Sequence, residues 1–454
     1  MSLFDSYQDY DVKHVSDGKK IGHLAGLKAI SPLILFIILY VVTSCVTGDF
    51  YAMPLTVTFM IVSIYAIAIT SGRPLSERLS AYHKGAGAGH LMLMLWIFVL
   101  AGAFSHTAKQ MGCIDATVDL ALMILPGEMI VAGMFVVSCL ISFAVGTSVG
   151  TIVALMPMAV GIAQSVSGDM GLIAACVIGG AFFGDNLSFI SDTTIAATST
   201  QGCLPKDKFW ANVSIVLPAA IVICVVYLIL GADVQVPAQP QHIELLRVIP
   251  YLAVLISAII GVNVLVCLTL GIVLCGIIGI WEGAYGLLEW FRVMGSGISG
   301  MSELIIITLM AGGLLEVIRI NGGIRYILER LTAHVKGPRG AELSIAGLVC
   351  LVNVCTANNT VAILIVGDIS KEIGERFHVD SRKVASILDT FACSIQGVLP
   401  YGAQMLMAAG ITGLTPIQIV PYLYYPFAIG IASLISIMFD YPRYFKKDGE
   451  IGSG

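Results

Sequence analysis

GGAFFGDNLSFISDTTIAATST, residues 179–200, sets two carboxylates, Asp185 and Asp192, into sequence otherwise apolar enough to cross a bilayer. Asn186, Ser188, Ser191, Thr193 and Thr194 stand around them, and the stretch holds no Lys or Arg. An ionisable group at the centre of a spanning helix costs at least about 2.5 kcal/mol on insertion scales, so such groups are kept where they face a cavity, a partner or an ion. On a continuous helix Asp185, Ser188 and Asp192 fall at i, i+3 and i+7 and share one face. A polar seam between helices would account for the hydroxyls. It accounts poorly for two unpaired acids, so the stretch is expected to bind ions.

The composition agrees with a membrane setting. The 454 residues are 57% hydrophobic and 12% charged, with a mean hydropathy of +0.92; soluble domains carry about 25% charged residues. The formal net charge of -5 is spread along the chain, and no basic cluster with interleaved aromatics suggests nucleic acid. Eleven cysteines lie scattered in apolar segments without C-x-x-C spacing, the pattern of small buried residues rather than of a disulfide framework or a zinc site. The polar N-terminus has no apolar core of a cleavable signal peptide.

Apolar runs of about 20 residues, long enough to span, fall near 30–47, 52–70, 89–108, 172–198, 210–231, 248–262, 263–280, 299–318, 384–410 and 417–438. Two further runs, 128–165 and 343–368, carry small polar residues at their centres and are predicted to be re-entrant hairpins. With ten spans and two hairpins, the basic loops all fall on one side, Lys206 and Lys208 among them, and both termini are cytoplasmic by the positive-inside rule. The expected organisation is a cytoplasmic segment 1–28, a first half 29–231, a second half 232–440 and a cytoplasmic tail 441–454. The first half holds the hairpin 128–165 and a broken helix 172–198; the second holds the hairpin 343–368 and a broken helix 384–410.

A weak internal repeat supports this division. Ala101-Gly102 and Met111 to Ile114 match Ala311-Gly312 and Asn321 to Ile324 at an offset of 210, which also lays Gly146-Thr147-Ser148 on Thr356-Ala357-Asn358. One copy would enter from each side, the inverted arrangement that places a binding site at the bilayer midplane. The fold class is therefore an all-α polytopic membrane protein, an inverted-repeat secondary transporter with two re-entrant hairpins and two broken helices.

Irregular backbone at membrane depth is tolerated only where it lines a protein cavity, and its freed carbonyls then become ligands. Four places qualify: 143–151, with Thr147, Ser148 and Thr151; the opening stretch; 353–360, with Thr356, Asn358, Asn359 and Thr360; and 389–404, with Asp389 and Gln396 beside Gly397 and Pro400. Sodium favours such oxygen donors by the hardness argument that applies to calcium and magnesium. The predicted ion- or substrate-binding set is Asp185, Asn186, Ser188, Ser191, Asp192, Thr193, Thr194, Thr147, Ser148, Thr356, Asn358, Asn359, Thr360, Asp389 and Gln396. Asp185, Ser188, Asp192, Thr193 and Asn358 are the expected sodium ligands. Burial favours a neutral carboxyl and a bound cation favours an ionised one, so proton and sodium compete for one group.

Other patterns carry less. Gly146-Thr-Ser148-Val-Gly150 fits a nucleophile elbow and Gly295-Ser-Gly297-Ile-Ser-Gly300 a dinucleotide fingerprint, but neither has its strand, and both are expected to be close-packing glycines. Glu316 is expected to pair with Arg319 at i, i+3. His83, His90 and His106 are expected at solvated or interfacial span ends. No metal-ligand cluster or nucleophile with its base suggests an enzyme.

GDNLSFISDTT resembles the GD-x-LS-x-x-SDTT signature of the NhaC family of sodium/proton antiporters, in the ion transporter superfamily, through Gly184, Asp185, Leu187, Ser188, Ser191, Asp192, Thr193 and Thr194. The resemblance runs from about residue 25 to 440 and implies a bacterial inner-membrane exchanger whose hairpin tips and helix breaks form sodium sites. The second half departs from the family pattern. An acidic pair followed by Gly, Thr and Ser before L-I-P-W is replaced by Asp389-Thr390, Phe391 to Gln396 and Val398-Leu399-Pro400-Tyr401. Gln396, Tyr401 and Gln404 there offer hydrogen bonds that suit an organic solute. The leading expectation is sodium/proton antiport, with sodium-coupled movement of a small organic acid or amino acid as the alternative. Sodium is cargo or coupling ion, and no cofactor is implied. The partners are lipid, sodium and protons, with a small organic acid or amino acid and a homodimer left open.

Overall fold

The computed structural model describes residues 22–47, 53–124, 127–166, 168–189, 191–232, 244–260, 262–332 and 337–442. Residues 1–21 and 443–454, most of the expected cytoplasmic segment and tail, lie outside them, as does the loop around Asp49. Among the described residues every regular element is helical.

The first ten α-helices are α1 His23–Thr47, α2 Leu55–Ile69, α3 Leu75–Ala86, α4 Gly89–Met111, α5 Cys113–Ile124, α6 Ile130–Val145, α7 Ser148–Ser165, α8 Met170–Leu187, α9 Asp192–Gln201 and α10 Pro205–Gly231. The rest are α11 Leu245–Ile259, α12 Val264–Trp281, α13 Leu287–Gly300, α14 Ser302–Ile320, α15 Gly323–Thr332, α16 Gly337–Thr356, α17 Asn359–Arg376, α18 Ser381–Val398, α19 Ala403–Thr412, α20 Pro416–Ile419 and α21 Tyr424–Phe439.

The chain is a multi-pass membrane protein. Among the described residues six helices, or up to eight if two bent pairs each count as one span, are long and apolar enough to cross a membrane. The 27 residues of α10 reach about 40 Å at 1.5 Å per residue, and Leu217, Ile221, Val222, Val225 and Ile229 stand exposed along it, a surface that only lipid or a partner would cover. The four short helices α3, α5, α13 and α15 were not foreseen from hydropathy, because they fall in the more polar stretches between the apolar runs.

Three consecutive helices of the two copies match 211 positions apart. α7 recurs as α17, α8 as α18 and α9 as α19, each with both ends in register. Asp169 caps α8 by accepting the Gly171 N–H at 2.8 Å, and Asp380 caps α18 by accepting the Arg382 N–H at 2.9 Å. Gly202 ends α9 at φ 69° and Gly413 ends α19 at φ 71°. The offset of 210 holds only in the earlier part, where Gly112 and Gly322 both adopt positive φ. The offset of 210 therefore misregisters the hairpins by one residue: Gly146 corresponds to Ala357, Thr147 to Asn358 and Ser148 to Asn359.

That correction explains the hairpin tips. Each is a left-handed residue, Gly146 at φ 71° or Ala357 at φ 51°, followed by an extended N-cap. Thr147 and Asn358, at φ -145° and -147°, turn their side-chain oxygens onto the first turn of α7 and α17, the usual repair for orphan N–H groups. Glycine takes the left-handed position at no steric cost, whereas Ala357 takes it against its own preference.

Glycines also let the copies interlock. α3 crosses α14 where Gly85 meets Gly312, and α13 crosses α4 where Gly297 meets Gly102; a Cβ on any of the four would fall on a facing backbone carbonyl or an adjacent side chain. These are equivalent crossings with the roles of the copies exchanged. Within the first copy, α6 lies against α8 because Ser138 and Ser142 face Gly180 and Gly184, and their hydroxyls donate to the Val177 and Ala181 carbonyls at 2.7 and 2.5 Å. Such small-residue seams bring membrane helices together where hydrophobic burial gives little.

Candidate functional site

The first helix break lies between Leu187, the end of α8, and Asp192, the start of α9. Asp185, Ser188 and Asp192 therefore do not share one continuous helix face, which corrects the simple i, i+3, i+7 expectation. The break frees carbonyls that a helix would have bonded, and the signature hydroxyls take most of them. Ser191 and Thr193 donate to the Asp185 carbonyl at 2.8 and 3.2 Å, and Thr194 donates to the Ser188 carbonyl at 2.8 Å. Ser191 Oγ also accepts the Thr194 N–H at 3.2 Å, capping α9. These three hydroxyls hold the shape of the break.

The Asp185 side chain crosses to the hairpin. Its Oδ1 accepts the Ser148 N–H at 3.0 Å, at the first turn of α7, where the helix end favours negative charge. The hydroxyl of the same Ser148 accepts from Gln404 Nε2 at 3.0 Å. Gln404 Oε1 in turn accepts from Gln396 Nε2 at 2.8 Å, and the same Nε2 reaches the Ala357 carbonyl at 2.9 Å. A chain of polar contacts thus runs from the first break through one hairpin tip to the other. Gln396 is the counterpart of Asp185 at the 211-residue offset, so the second copy holds a carboxamide where the first holds an acid.

The predicted residues of the second hairpin tip mostly satisfy one another. Asn358 Oδ1 caps Val361 N–H at 2.9 Å, Thr356 donates to the Asn358 carbonyl at 3.0 Å, and Asn359 Oδ1 accepts the Thr360 N–H at 3.0 Å while its Nδ2 points at Cys393 Sγ, 3.7 Å away. Against this tip lies a cavity of about 20 Å³, lined among others by Thr308, Thr356, Asn358, Tyr401 and Ala403, room for roughly one water-sized particle. On the first side, Asp192 is half-buried and its side chain makes no hydrogen bond with a described residue. Asp185, Ser188, Thr193 and Asp192 are thus gathered at one break, and Asn358 lies at the other copy's tip.

Lys208 overturns one expectation. The charge pattern of the sequence puts it with Lys206 on the cytoplasmic side, and Lys206 is exposed, but Lys208 is 1% exposed on the first turn of α10. Its Nζ donates to the Asn186 carbonyl at 2.7 Å and Thr194 Oγ1 at 2.6 Å, and pairs with Asp389 Oδ2 at 2.8 Å. Asn212, one turn further, donates to the same Asn186 carbonyl and Asp389 oxygen at 2.7 and 2.9 Å. Asp389 is therefore held in an ion pair. Asn186 contributes its backbone to this cluster, and its Nδ2 goes to the Phe182 carbonyl and the Tyr425 hydroxyl at 2.8 and 3.2 Å. Glu316 pairs with Arg319 at 2.6 Å, as expected from their spacing, and His83 and His106 are exposed; the His90 side chain lies outside the described set.

A family model for the Na+/H+ antiporter family matches residues 15–232 and 235–441. The chain is 25% identical to the Na(+)/H(+) antiporter NhaC of Bacillus subtilis (strain 168), over 79% of this chain and 84% of that protein. It is 22% identical to the NhaC of Alkalihalophilus pseudofirmus, over 86% and 89%. The malate-2H(+)/Na(+)-lactate antiporter of Bacillus subtilis is 20% identical over 78% and 82%. Among solved structures, the Alcanivorax borkumensis YdaH transporter aligns with a TM-score of 0.43 at 13% identity, covering 86% of this chain and 99% of that one. The match to the family model runs through both copies of the repeat, and the chain belongs to the Na+/H+ antiporter family.

Proposed function

We propose that the protein exchanges sodium for protons across the bacterial cytoplasmic membrane, with both termini inside and with Asp185 and Asp192 as the carboxylates that take either ion. The observation that carries this reading is the contrast among three neighbouring acids. Among the described residues, Asp389 has a lysine partner and Asp185 and Asp192 have none. A carboxylate already neutralised by Lys208 has little to offer sodium. A buried carboxylate beside hydroxyls and a helix N-terminus, without a basic partner, can release a proton to admit a cation. The remaining predicted ligands would act around that pair, and the two copies, taken as oppositely oriented, would expose it to each side in turn.

Proteoliposomes loaded with a pH dye test the proposal. Sodium added outside should make the lumen alkaline with no organic solute present, and Asp192→Asn should abolish the response. An unchanged response in Asp192→Asn removes that residue from the site.

The alternative, sodium-coupled movement of a small organic acid or amino acid, is favoured by the Gln396–Gln404 amide pair and by the relative named as a malate/lactate antiporter. It requires sodium to leave the lumen pH unchanged until a carboxylate or amino acid is supplied.

A further inference from the structure

We propose that the Lys208 ammonium is the built-in occupant of a second cation site, formed by the first helix break, α10 and Asp389, which accepts sodium once the lysine is removed. The site is a set of oxygens rather than a simple ion pair. Three acceptors of different kinds converge on Nζ at 2.6–2.8 Å: the Asn186 peptide carbonyl, the Thr194 hydroxyl and the Asp389 carboxylate. An ammonium has three protons to donate, so Nζ is saturated. Carbonyl, hydroxyl and carboxylate are also the donors a hard monovalent cation selects.

Two more observations make this a ligand site. The side-chain oxygens of Asn212 and Asn186 are buried with no hydrogen-bond partner, although buried acceptors are nearly always satisfied. A half-turn of the Asn212 amide would bring its oxygen to where its Nδ2 now sits, facing Asn186 O and Asp389 Oδ2, and add a further ligand. The second copy of the repeat, moreover, has nothing comparable. At the 211-residue offset Lys208, Asn212 and Asp389 correspond to Ile419, Leu423 and Ile178, all completely buried. An apolar filling therefore suits this position in the fold, and the charged cluster is an addition to one side only.

The consequence concerns stoichiometry. With Lys208 in place, Asp389 is neutralised by a cation that cannot leave, so the site cannot be counted among those that turn over.

Saturable binding of radioactive sodium to the purified full-length protein tests this, comparing the wild type with Lys208→Ala and Lys208→Ala/Asp389→Asn. One additional sodium per chain is expected in Lys208→Ala and none in the double variant. Equal stoichiometry in the wild type and a monodisperse Lys208→Ala overturns the proposal. Should Lys208→Ala be unstable, its thermal unfolding is followed in sodium and in choline. A saturable upward shift in sodium over choline that exceeds the wild type's, with no such excess in Lys208→Ala/Asp389→Asn, is expected; a shift no larger than the wild type's, or failure to fold in high sodium, overturns the idea. Because the measured quantity is a gain over the wild type, it remains distinguishable from failure of Asp185 and Asp192 to bind sodium.

Discussion

Asp185 reaches out of the first broken helix to the start of α7, where its Oδ1 accepts the Ser148 N–H at 3.0 Å. The contact joins the two irregular pieces of one copy through the residue proposed to exchange its ion, so structure and transport are separable by substitution. Asp185→Asn keeps an oxygen acceptor for that N–H and loses only the charge at the helix end, an effect of about 1 kcal/mol. Asp185→Ala leaves the donor unpaired, which costs about 1–3 kcal/mol. Exchange should vanish in both, with unfolding in detergent lowered clearly only in the alanine variant. Sodium-driven pH change surviving in Asp185→Asn would take this carboxylate out of the mechanism.

The Lys208–Asp389 pair is 1% and 0% exposed at its two side chains, so each partner depends on the other. Removing one leaves a buried charge without compensation, a loss of about 3–5 kcal/mol, whereas replacing both by apolar residues of similar volume is often neutral or better. In choline buffer, Lys208→Met and Asp389→Leu should each lower the unfolding temperature, and the double variant should recover most of the loss. The buried apolar residues Ile419 and Ile178 at the equivalent positions show what such a filling looks like. Single variants as stable as the wild type would contradict the pairing.

This pair also marks the limit of what the sequence discloses. The break itself was legible, because Asp185 and Asp192 stand out against apolar neighbours. Both polar-centred hairpins were legible for the same reason, and so was the existence of a repeat. Lys208 was not: it follows Lys206 and Asp207 at the start of a long apolar run, where a lysine normally reads as a snorkelling end residue. Its burial depends on Asp389, 181 positions away on the other copy, and no local pattern encodes that distance. The repeat register failed by one residue for a related reason, since a single added position between Gly322 and Ala357 is invisible when matches consist of Gly and Ala. The link from Gln404 to Ser148 joins residues 256 positions apart on different copies, and no local pattern encodes it either.

The paired glycine crossings give a test of the interlocked copies that touches no polar group. A Cβ at Gly102 or Gly297 would strike the opposing backbone, while one at Gly295 meets nothing within 4 Å. Overpacking of this kind costs about 1–3 kcal/mol. Gly297→Ala should therefore lower stability in detergent and Gly295→Ala should not, although both lie in the same glycine-rich stretch of α13. Equal effects would mean that the crossing of α13 with α4 is looser than described.

Gln404 sets the last expectation, because it is the side chain that ties α19 of the second copy to Ser148 at the first hairpin tip. A net hydrogen bond contributes about 0.5–1.5 kcal/mol, which corresponds to a shift of about 2- to 10-fold in half-saturating sodium if the link helps hold Ser148 against Asp185. Gln404→Ala should shift sodium half-saturation by that amount and leave the maximal rate within the same range. Ser148→Ala removes this link together with the hydroxyl of the residue whose N–H Asp185 accepts, so it should shift half-saturation at least as far. The double variant should then be no worse than Ser148→Ala alone, since Gln404 acts through the hydroxyl already lost. Additive effects would show that Gln404 reaches the ion by a route other than Ser148, and would point to the Gln396 amide at 2.8 Å as that route.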